Sequence, residues 1–435
     1  MSFWKIAWRN IEQRALASSL TALSMALGVA VMISVIVIHS VTVRTYEQDA
    51  QGYHLIVGGK GGELQLVMST VYHQGQPLYP IPYSYYRKFV DGEFADVTAA
   101  AIPLCLGDSY QAPDGTMYRV IGTTPDMFSK IHYGNHPDGT PKSYEFQPGG
   151  RNFEAEHFFE AVVGSVVAAR SGLQVGDEIN PTHGVGSEGH VHDAFQVVGI
   201  LKPTGTRNDY AVFINIEGFY LLEGHALAPA GHDDEHDEEH DHAHEPLPEA
   251  QREVTSILVL CTSELGPLVL ETAINKGEDR IAQAVAPGRV VTRLMDNFVG
   301  PTRLVLMVLT VMIIVVAGVS ILVSIYNSMN ERSHDIAVMR ALGASRTAVM
   351  AIILVESILL AVGGGLAGML LGHAIIGLAS PYVEARTGVT LGLLEFDWQE
   401  MILIPALVVL ASLVGLLPAL AAYRTDVAKS LAGSR

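Results

Sequence analysis

Four stretches of this chain are long enough and apolar enough to be buried on every side, and one large polar segment separates the first from the other three. They run Leu16–Val43, Leu304–Tyr326, Ala348–Ala379 and Met401–Tyr423. A helix crosses a bilayer with about 20 apolar residues, so each can span. Charged residues make up 17% of the chain and apolar residues 49%, which argues against a soluble protein with a single core. The apolar run of the first stretch covers 29 residues, Ala15 to Val43, against the roughly 7–15 of a cleaved signal sequence. No small-x-small cleavage site follows it. It reads as an uncleaved signal anchor. The segment of about 260 residues after it is enough for one sizeable folded domain.

Charge sets the expected orientation. The N-terminal flank carries Lys5, Arg9 and Arg14, the second-to-third connection Arg332, Arg340 and Arg346, and the tail Arg424, Lys429 and Arg435. Only Glu12, Glu331, Asp335 and Asp426 oppose them, a balance of +5 in a chain of net charge −18. Positive short flanks stay inside. Both termini are therefore expected in the cytoplasm and the large domain outside. With Glu356 set aside, the outer parts carry −22. An exterior that acidic disfavours nucleic acid and anionic headgroups as its partners there and suits cations.

The expected fold class is an α-helical membrane protein with four transmembrane helices and a mixed α+β extracytoplasmic domain between helices 1 and 2. Residues 1–15 form a cytoplasmic interfacial helix, 16–43 transmembrane helix 1, and 44–303 the outer domain with stalk ends. Residues 304–328 are helix 2, 329–347 a cytoplasmic coupling helix, 348–379 helix 3, 380–400 an outer loop, 401–423 helix 4 and 424–435 the tail. Within the outer domain, strands are expected at His54–Val57, Asp96–Leu104, Met117–Ile121, Phe195–Ile200, Ala211–Ile214, Ser256–Leu260 and Val290–Val291. Helices are expected at Tyr83–Phe89, Glu154–Ser171, Glu217–Glu223 and Leu265–Ala284. Cys105 and Cys261 lie in strand-like runs and read as buried free thiols, with a disulfide the lesser alternative. In the third span Gly364, Gly368 and Gly372 recur every four residues, a smooth face for another helix. Glu356 in the same span must pair or face a polar cavity, and hydrogen bonding to a neighbouring helix is the favoured reading. His39 and His373 read as interfacial.

Two glycine motifs imitate nucleotide sites and fail as such. Gly58-Gly-Lys60-Gly-Gly62 lacks the hydroxyl residue of a P-loop, and Gly184-Val-Gly186-Ser-Glu-Gly189 opens no helix. No catalytic residue and no resident cofactor is expected, and any ATP hydrolysis must come from another chain. The segment 225–251 is different. Six of the 17 histidines fall between His225 and His244, among Asp and Glu. Imidazole with carboxylate suits zinc and similar divalent metals. On a helix His232, His236 and His240 share a face; on an extended chain His240, His242 and His244 do. Metal binding at these five histidines stands against a solvated acidic linker. The His-x-x-Glu-His spacing within it lacks the apolar face a buried protease helix needs.

The block Glu331–Arg346, between the second and third apolar stretches, carries charge on one face (Glu331, Arg332, Asp335, Arg340) and Ile336, Met339 and Leu342 on another. A Gly343-Ala-Ser turn closes it. Such a short amphipathic helix lies at the membrane surface, where a partner can push on it. The block resembles the cytoplasmic coupling segment of ABC-transporter permeases of the MacB, LolC/LolE and FtsX type, with Glu331-Arg332, Asp335-Ile336 and Arg340-Ala-Leu-Gly-Ala344 in the matching places. The tail Gly415-Leu-Leu-Pro-Ala419 to Leu431 is similar to the family's closing pattern, with Val427 where proline is usual. Glu160-Ala-Val-Val-Gly164-Ser, Gly172-Leu-Gln-Val-Gly176-Asp and Val198 to Asp209 resemble its extracytoplasmic core domain, and Leu55 to Gly62 with Val71-Tyr-His73 resembles a subgroup. Residues 225–251 stand out as an insertion.

The resemblance implies a non-catalytic permease in a bacterial inner membrane, working as a dimer on cytoplasmic ATPase subunits. Motion of the spans would pass to the outer domain, for export or release of an envelope substrate. A periplasmic adaptor or substrate protein would be a further partner. Two other readings stay open: a membrane-anchored metal-binding or metal-sensing protein, and an FtsX-like regulator of a cell-wall hydrolase.

Overall fold

The computed structural model describes residues 3–49, 52–136, 138–183, 190–222, 247–277, 280–331, 340, 343–387 and 398–424. They fall into two compact units: Arg44–Met295, and Met1–Val43 with Asp296–Arg435.

The first unit is built on one mixed sheet. Nine of its strands follow in the order Ala282–Val285, Leu55–Gly59, Ser256–Cys261, Thr98–Gln111, Met117–Thr123, Ala211–Asn215, Glu160–Val163, Phe195–Ile200 and Glu178–Ile179. Two short strands, Thr182–His183 and His190–Val191, pair with each other, and the first also joins Thr98–Gln111. Val57, Val120, Val163, Val212, Ile214, Ile257 and Val259 are fully buried and form the centre of its core. Burying such side chains contributes about 1.5–3 kcal/mol each, which is what holds the sheet together.

Three expected elements differ, and one helix is unexpected. Glu154–Ser171 is not one helix: Glu160–Val163 is a strand and Ser165–Ser171 a separate helix. Every residue of Glu160–Val163 is buried between two neighbouring strands, and its apolar part, Ala161–Val163, is too short to have a period that tells strand from helix. Leu265–Ala284 is helical only over Gly266–Lys276, stopped by Gly277, and Ala282–Val285 turns back into the sheet. Val290–Val291 lies in the helix Pro287–Leu294, whose first residue is the proline that suits a helix start. Glu63–Thr70 is a helix that the sequence pattern does not announce.

Cys105 and Cys261 are both buried and unbridged. Burial pushes the Cys105 thiol up to about 12 and that of Cys261 to about 11. Cys105 sits 3.4 Å from the Tyr220 hydroxyl, which itself donates to the carbonyl of Glu253.

The second unit is helical. The helix Phe3–Gln13 precedes Ala15–Asp49, and Gly300–Glu331, Arg346–Thr387 and Trp398–Arg424 follow. Among the described residues three helical stretches are long and apolar enough to cross a membrane: Ala15–Val41, Pro287–Ile313 and Arg346–Val383. The fourth expected span is represented by a shorter apolar stretch, Glu400–Leu413. The count of four spans stays an expectation, and Pro287–Ile313 overlaps the expected Leu304–Tyr326 only in its last ten residues. Met25, Val29, Ile33, Val37 and Val41 form one stripe of every fourth residue and pack with Val349, Ile353, Ala361, Ile376, Leu403, Leu407 and Ala411.

Candidate functional site

The coupling block begins where the helix Gly300–Glu331 ends. Arg332, Asp335, Ile336, Met339 and Leu342 lie outside the described residues. Arg340 is helical and half-buried, and its carbonyl accepts from the Gly343 amide at 3.1 Å. Gly343 has φ +99°, a conformation that a Cβ opposes, so glycine is the residue that lets the chain turn here. The Ser345 hydroxyl then accepts from the Ala348 amide at 3.2 Å and caps the next helix. Gly343 and Ser345 thus end one helix and start another within three residues.

The three glycines of Arg346–Thr387 face the first apolar helix. A Cβ at Gly364 would meet Met25 Cβ at 2.9 Å and the Ala22 carbonyl at 3.0 Å. One at Gly368 would meet the Ala26 carbonyl at 2.5 Å and Val29 Cβ at 2.6 Å, and one at Gly372 the Ala30 carbonyl and Ile33 at 3.1 Å. Two i, i+4 rows therefore interlock: glycines on one helix, and on the other the row of Met25, Val29 and Ile33.

Glu356 is buried in the same helix, and the Asn10 amide donates to it at 3.4 Å. The partner is a neighbouring helix, Phe3–Gln13, in line with the reading that the sequence favours. A second polar pair is not visible in the sequence. His373 Nε2 lies 2.9 Å from Glu400 Oε2, and the Glu400 side chain is fully buried. Read alone, His373 looks interfacial and Glu400 belongs to the acidic outer loop. Only the packing of Arg346–Thr387 on Trp398–Arg424 makes them partners.

His232, His236, His240, His242 and His244 lie outside the described residues. The chain on either side of their segment is tied down. Leu222 is buried, and Leu247 packs on the core. Arg252 donates through Nε to the Leu247 carbonyl at 2.6 Å and through Nη1 to Glu217 Oε1 at 2.8 Å. Its guanidinium lies over Tyr83 and Tyr220, 5.4 and 5.5 Å from their centroids.

In the sheet unit, three segments that carry the family resemblance meet. A Cβ at Gly164 would strike the carbonyls of Asp209 and Asn208 at 2.4 and 2.5 Å, so Gly164 sits directly on that turn. Asp209 is buried and accepts from the amides of Thr204 and Gly205 and the Thr204 hydroxyl, yet burial still holds its carboxyl above the ordinary range. Asn208 donates to the Tyr144 hydroxyl at 2.6 Å, and its carbonyl oxygen faces His73 Nε2 at 3.0 Å. With the amide so placed, Nε2 carries the His73 proton. Nδ1 is a buried acceptor with no hydrogen-bond partner among the described residues. His73 has φ +55° and lines a cavity of about 20 Å³, room for roughly one water, with Tyr53, Tyr133, Tyr144, Arg207 and Asn208.

Burial lowers the His73 pKa to about 4 from an ordinary 6.5. The unfolded chain takes up the proton first, so the neutral ring stabilises the fold above pH 6.5 and that contribution is lost as pH falls through 4. The loss by pH 4.5 is about 2–3 kcal/mol. Backbone hydrogen exchange of Ala211–Asn215 at pH 7.5 and 4.5 measures it, and His73→Gln is expected to reduce the difference by that amount. An unchanged difference would exclude His73 as its source.

Residues 18–263 match the family model of the MacB-like periplasmic core domain, and residues 307–427 that of the FtsX-like permease C-terminal region. A curated relative, the uncharacterized ABC transporter permease MJ1507 of Methanocaldococcus jannaschii, is 35% identical over 120 residues. That match takes in 26% of this chain and 29% of the relative. Two solved structures are similar at low scores. The extracellular domain of the noncanonic ABC-type transporter YknZ from Gram-positive bacteria is 9% identical, with a TM-score of 0.30, over 53% of this chain and 98% of that one. A domain of a permease protein from Porphyromonas gingivalis is 11% identical, with a TM-score of 0.27, over 55% and 88%. Those scores are too low to place the fold.

Proposed function

The chain belongs to the family of ABC-transporter permeases that join a MacB-like periplasmic core domain to an FtsX-like membrane region, and from that membership we propose that it couples a separate cytoplasmic ATPase to motion of its outer domain. The observation that supports this reading is the build of Glu331–Arg346. It is a short charged block between two long apolar helices, closed by the Gly343 turn and the Ser345 cap. Ile336, Met339 and Leu342 are its proposed anchors on the ATPase, with Glu331, Arg332, Asp335 and Arg340 fixing register and Gly343 its end. The proposed membrane topology has four spans with both termini cytoplasmic, and the working unit is a homodimer.

The glycine seam gives the proposal its transmission. Helices Ala15–Asp49 and Arg346–Thr387 approach closely along Gly364, Gly368 and Gly372, where an added Cβ would meet backbone carbonyls and Cβ atoms of the facing helix. At about 1.5 Å per residue the 35 residues of Ala15–Asp49 extend roughly 52 Å, well beyond a hydrocarbon core of about 30 Å. A push at the coupling block would travel along this helix, for export or release of an envelope substrate. His232, His236, His240, His242 and His244 are proposed as a divalent-metal loop, accessory to this cycle.

An ATPase subunit is expected to co-purify with the wild-type chain. Leu342→Asp, which puts a charge on the apolar anchor face, is expected to weaken that association at least tenfold, whereas deletion of 232–244 leaves it intact. Full ATPase association and transport in Leu342→Asp would refute the coupling role.

A further inference from the structure

The helix Phe3–Gln13 carries a different chemistry on each side. Ala7 is fully buried and Asn10 donates to Glu356, so this side rests on Arg346–Thr387. At about 100° per residue, Lys5 and Arg9 fall on the opposite side, one turn apart and both exposed. Trp4 and Trp8 form a row between the two, 57% and 52% exposed. Large apolar side chains left that open on a packed helix mark a surface that something apolar covers.

Charge and position say what covers it. Three cations, Lys5, Arg9 and Arg14, stand against one acid, Glu12, and the Trp8 indole donates to that acid at 2.7 Å. The next helix holds the apolar stretch Ala15–Val41, long enough to cross a membrane, and shows Leu16, Leu20, Leu23 and Leu27, each more than half exposed. Phe3–Gln13 therefore stands where a lipid-facing surface begins. An acidic soluble protein would satisfy Lys5 and Arg9 and leave the two indoles in water. A bilayer interface takes both, because indole rings sit at headgroup depth while ammonium and guanidinium groups reach phosphate.

We propose that the exposed side of Phe3–Gln13 is a docking surface for anionic phospholipids, with Lys5 and Arg9 on the headgroups and Trp4 and Trp8 on the upper acyl chains. A headgroup of net negative charge is preferred, since a zwitterionic one carries its own cation beside the phosphate and gains less from another. That the cytoplasmic leaflet supplies these lipids rests on the proposed four-span topology. Ala7 and Asn10 fix the same helix to Arg346–Thr387, so lipids gathered here lie beside the helix that carries the glycine seam and follows the coupling block.

The test uses the full chain in lipid vesicles with Trp398→Phe, which leaves Trp4 and Trp8 as its only tryptophans. Bromine on the acyl chains of a minor lipid component quenches the indoles it touches. Brominated phosphatidylglycerol is expected to quench about threefold more strongly than the same fraction of brominated phosphatidylcholine. Lys5→Gln with Arg9→Gln is expected to remove the difference, and so is high salt, which screens charges at the surface. The vesicles carry the same lipids in both leaflets, so the result does not depend on which side the termini occupy. Protease cleavage of an N-terminal tag on closed vesicles reads that side separately. Equal quenching by the two lipids overturns the proposal, as does a preference that the double variant leaves unchanged. Absence of quenching by either lipid also overturns it, since the two indoles would then face protein.

Discussion

Replacing Gly368 by leucine is expected to unseat the first apolar helix from the third, with a stability loss above about 3 kcal/mol and loss of transport. The space a side chain needs is held by the Ala26 carbonyl at 2.5 Å and Val29 Cβ at 2.6 Å, and neither is the free end of a flexible chain. Overpacking of that kind costs about 1–3 kcal/mol even when neighbours can shift, and here a whole helix must move. Alanine at the seam positions is expected to give a graded series. Gly368→Ala should cost most, Gly364→Ala less and Gly372→Ala least, in the order of their contact distances. Gly363 supplies the control. A Cβ there meets nothing within 4 Å, so Gly363→Ala is expected to be neutral or to stabilise by up to about 1 kcal/mol through helix propensity. Thermal unfolding in lipid nanodiscs reads the series. Equal stability of Gly368→Leu and Gly363→Ala would remove the seam.

Arg252→Ala is expected to destabilise the sheet unit by about 3–5 kcal/mol, the penalty for leaving one member of a buried ion pair behind. Glu217 would keep its charge with only 19% of its side chain exposed, and its Oε2 already lacks a hydrogen-bond partner among the described residues. Tyr83 and Tyr220 would lose the cation between them. The Leu247 carbonyl would lose its donor at the point where the chain returns from the His-rich segment. Glu217→Gln in the same chain is expected to recover a large part of the loss, because the stranded charge is what costs most. Chemical denaturation of the single and double variants separates charge from packing. No recovery in the double variant would mean that stacking against the tyrosines, not charge, accounts for most of the loss.

The parts of this molecule that the sequence states plainly are those with a period. The glycine repeat at 364, 368 and 372 is legible because spacing of four is a helix face, and it meets a row of the same spacing at Met25, Val29 and Ile33. Phe195–Ile200 and Ser256–Cys261 are legible because β-branched runs end in turn residues. Glu160–Val163 is not, since three buried apolar residues after a glutamate fit helix and strand alike. His373 with Glu400, and His73 with Asn208, are out of reach for another reason. Their partners are 27 and 135 residues apart, and no local pattern encodes a contact that tertiary packing creates. The five histidines of 232–244 are the converse, loud in sequence and outside the described residues.

The two buried thiols have a use beyond packing. A cysteine reacts as its thiolate, and groups raised to about 12 and about 11 hold almost none of it at neutral pH. The sheet unit therefore folds without an oxidase and offers maleimides and spin labels nothing to attack. The natural chain is its own silent background: a single cysteine placed at the coupling block or on the Ala15–Asp49 helix would report from that position alone, so movement through one ATPase cycle can be followed without first rebuilding the protein.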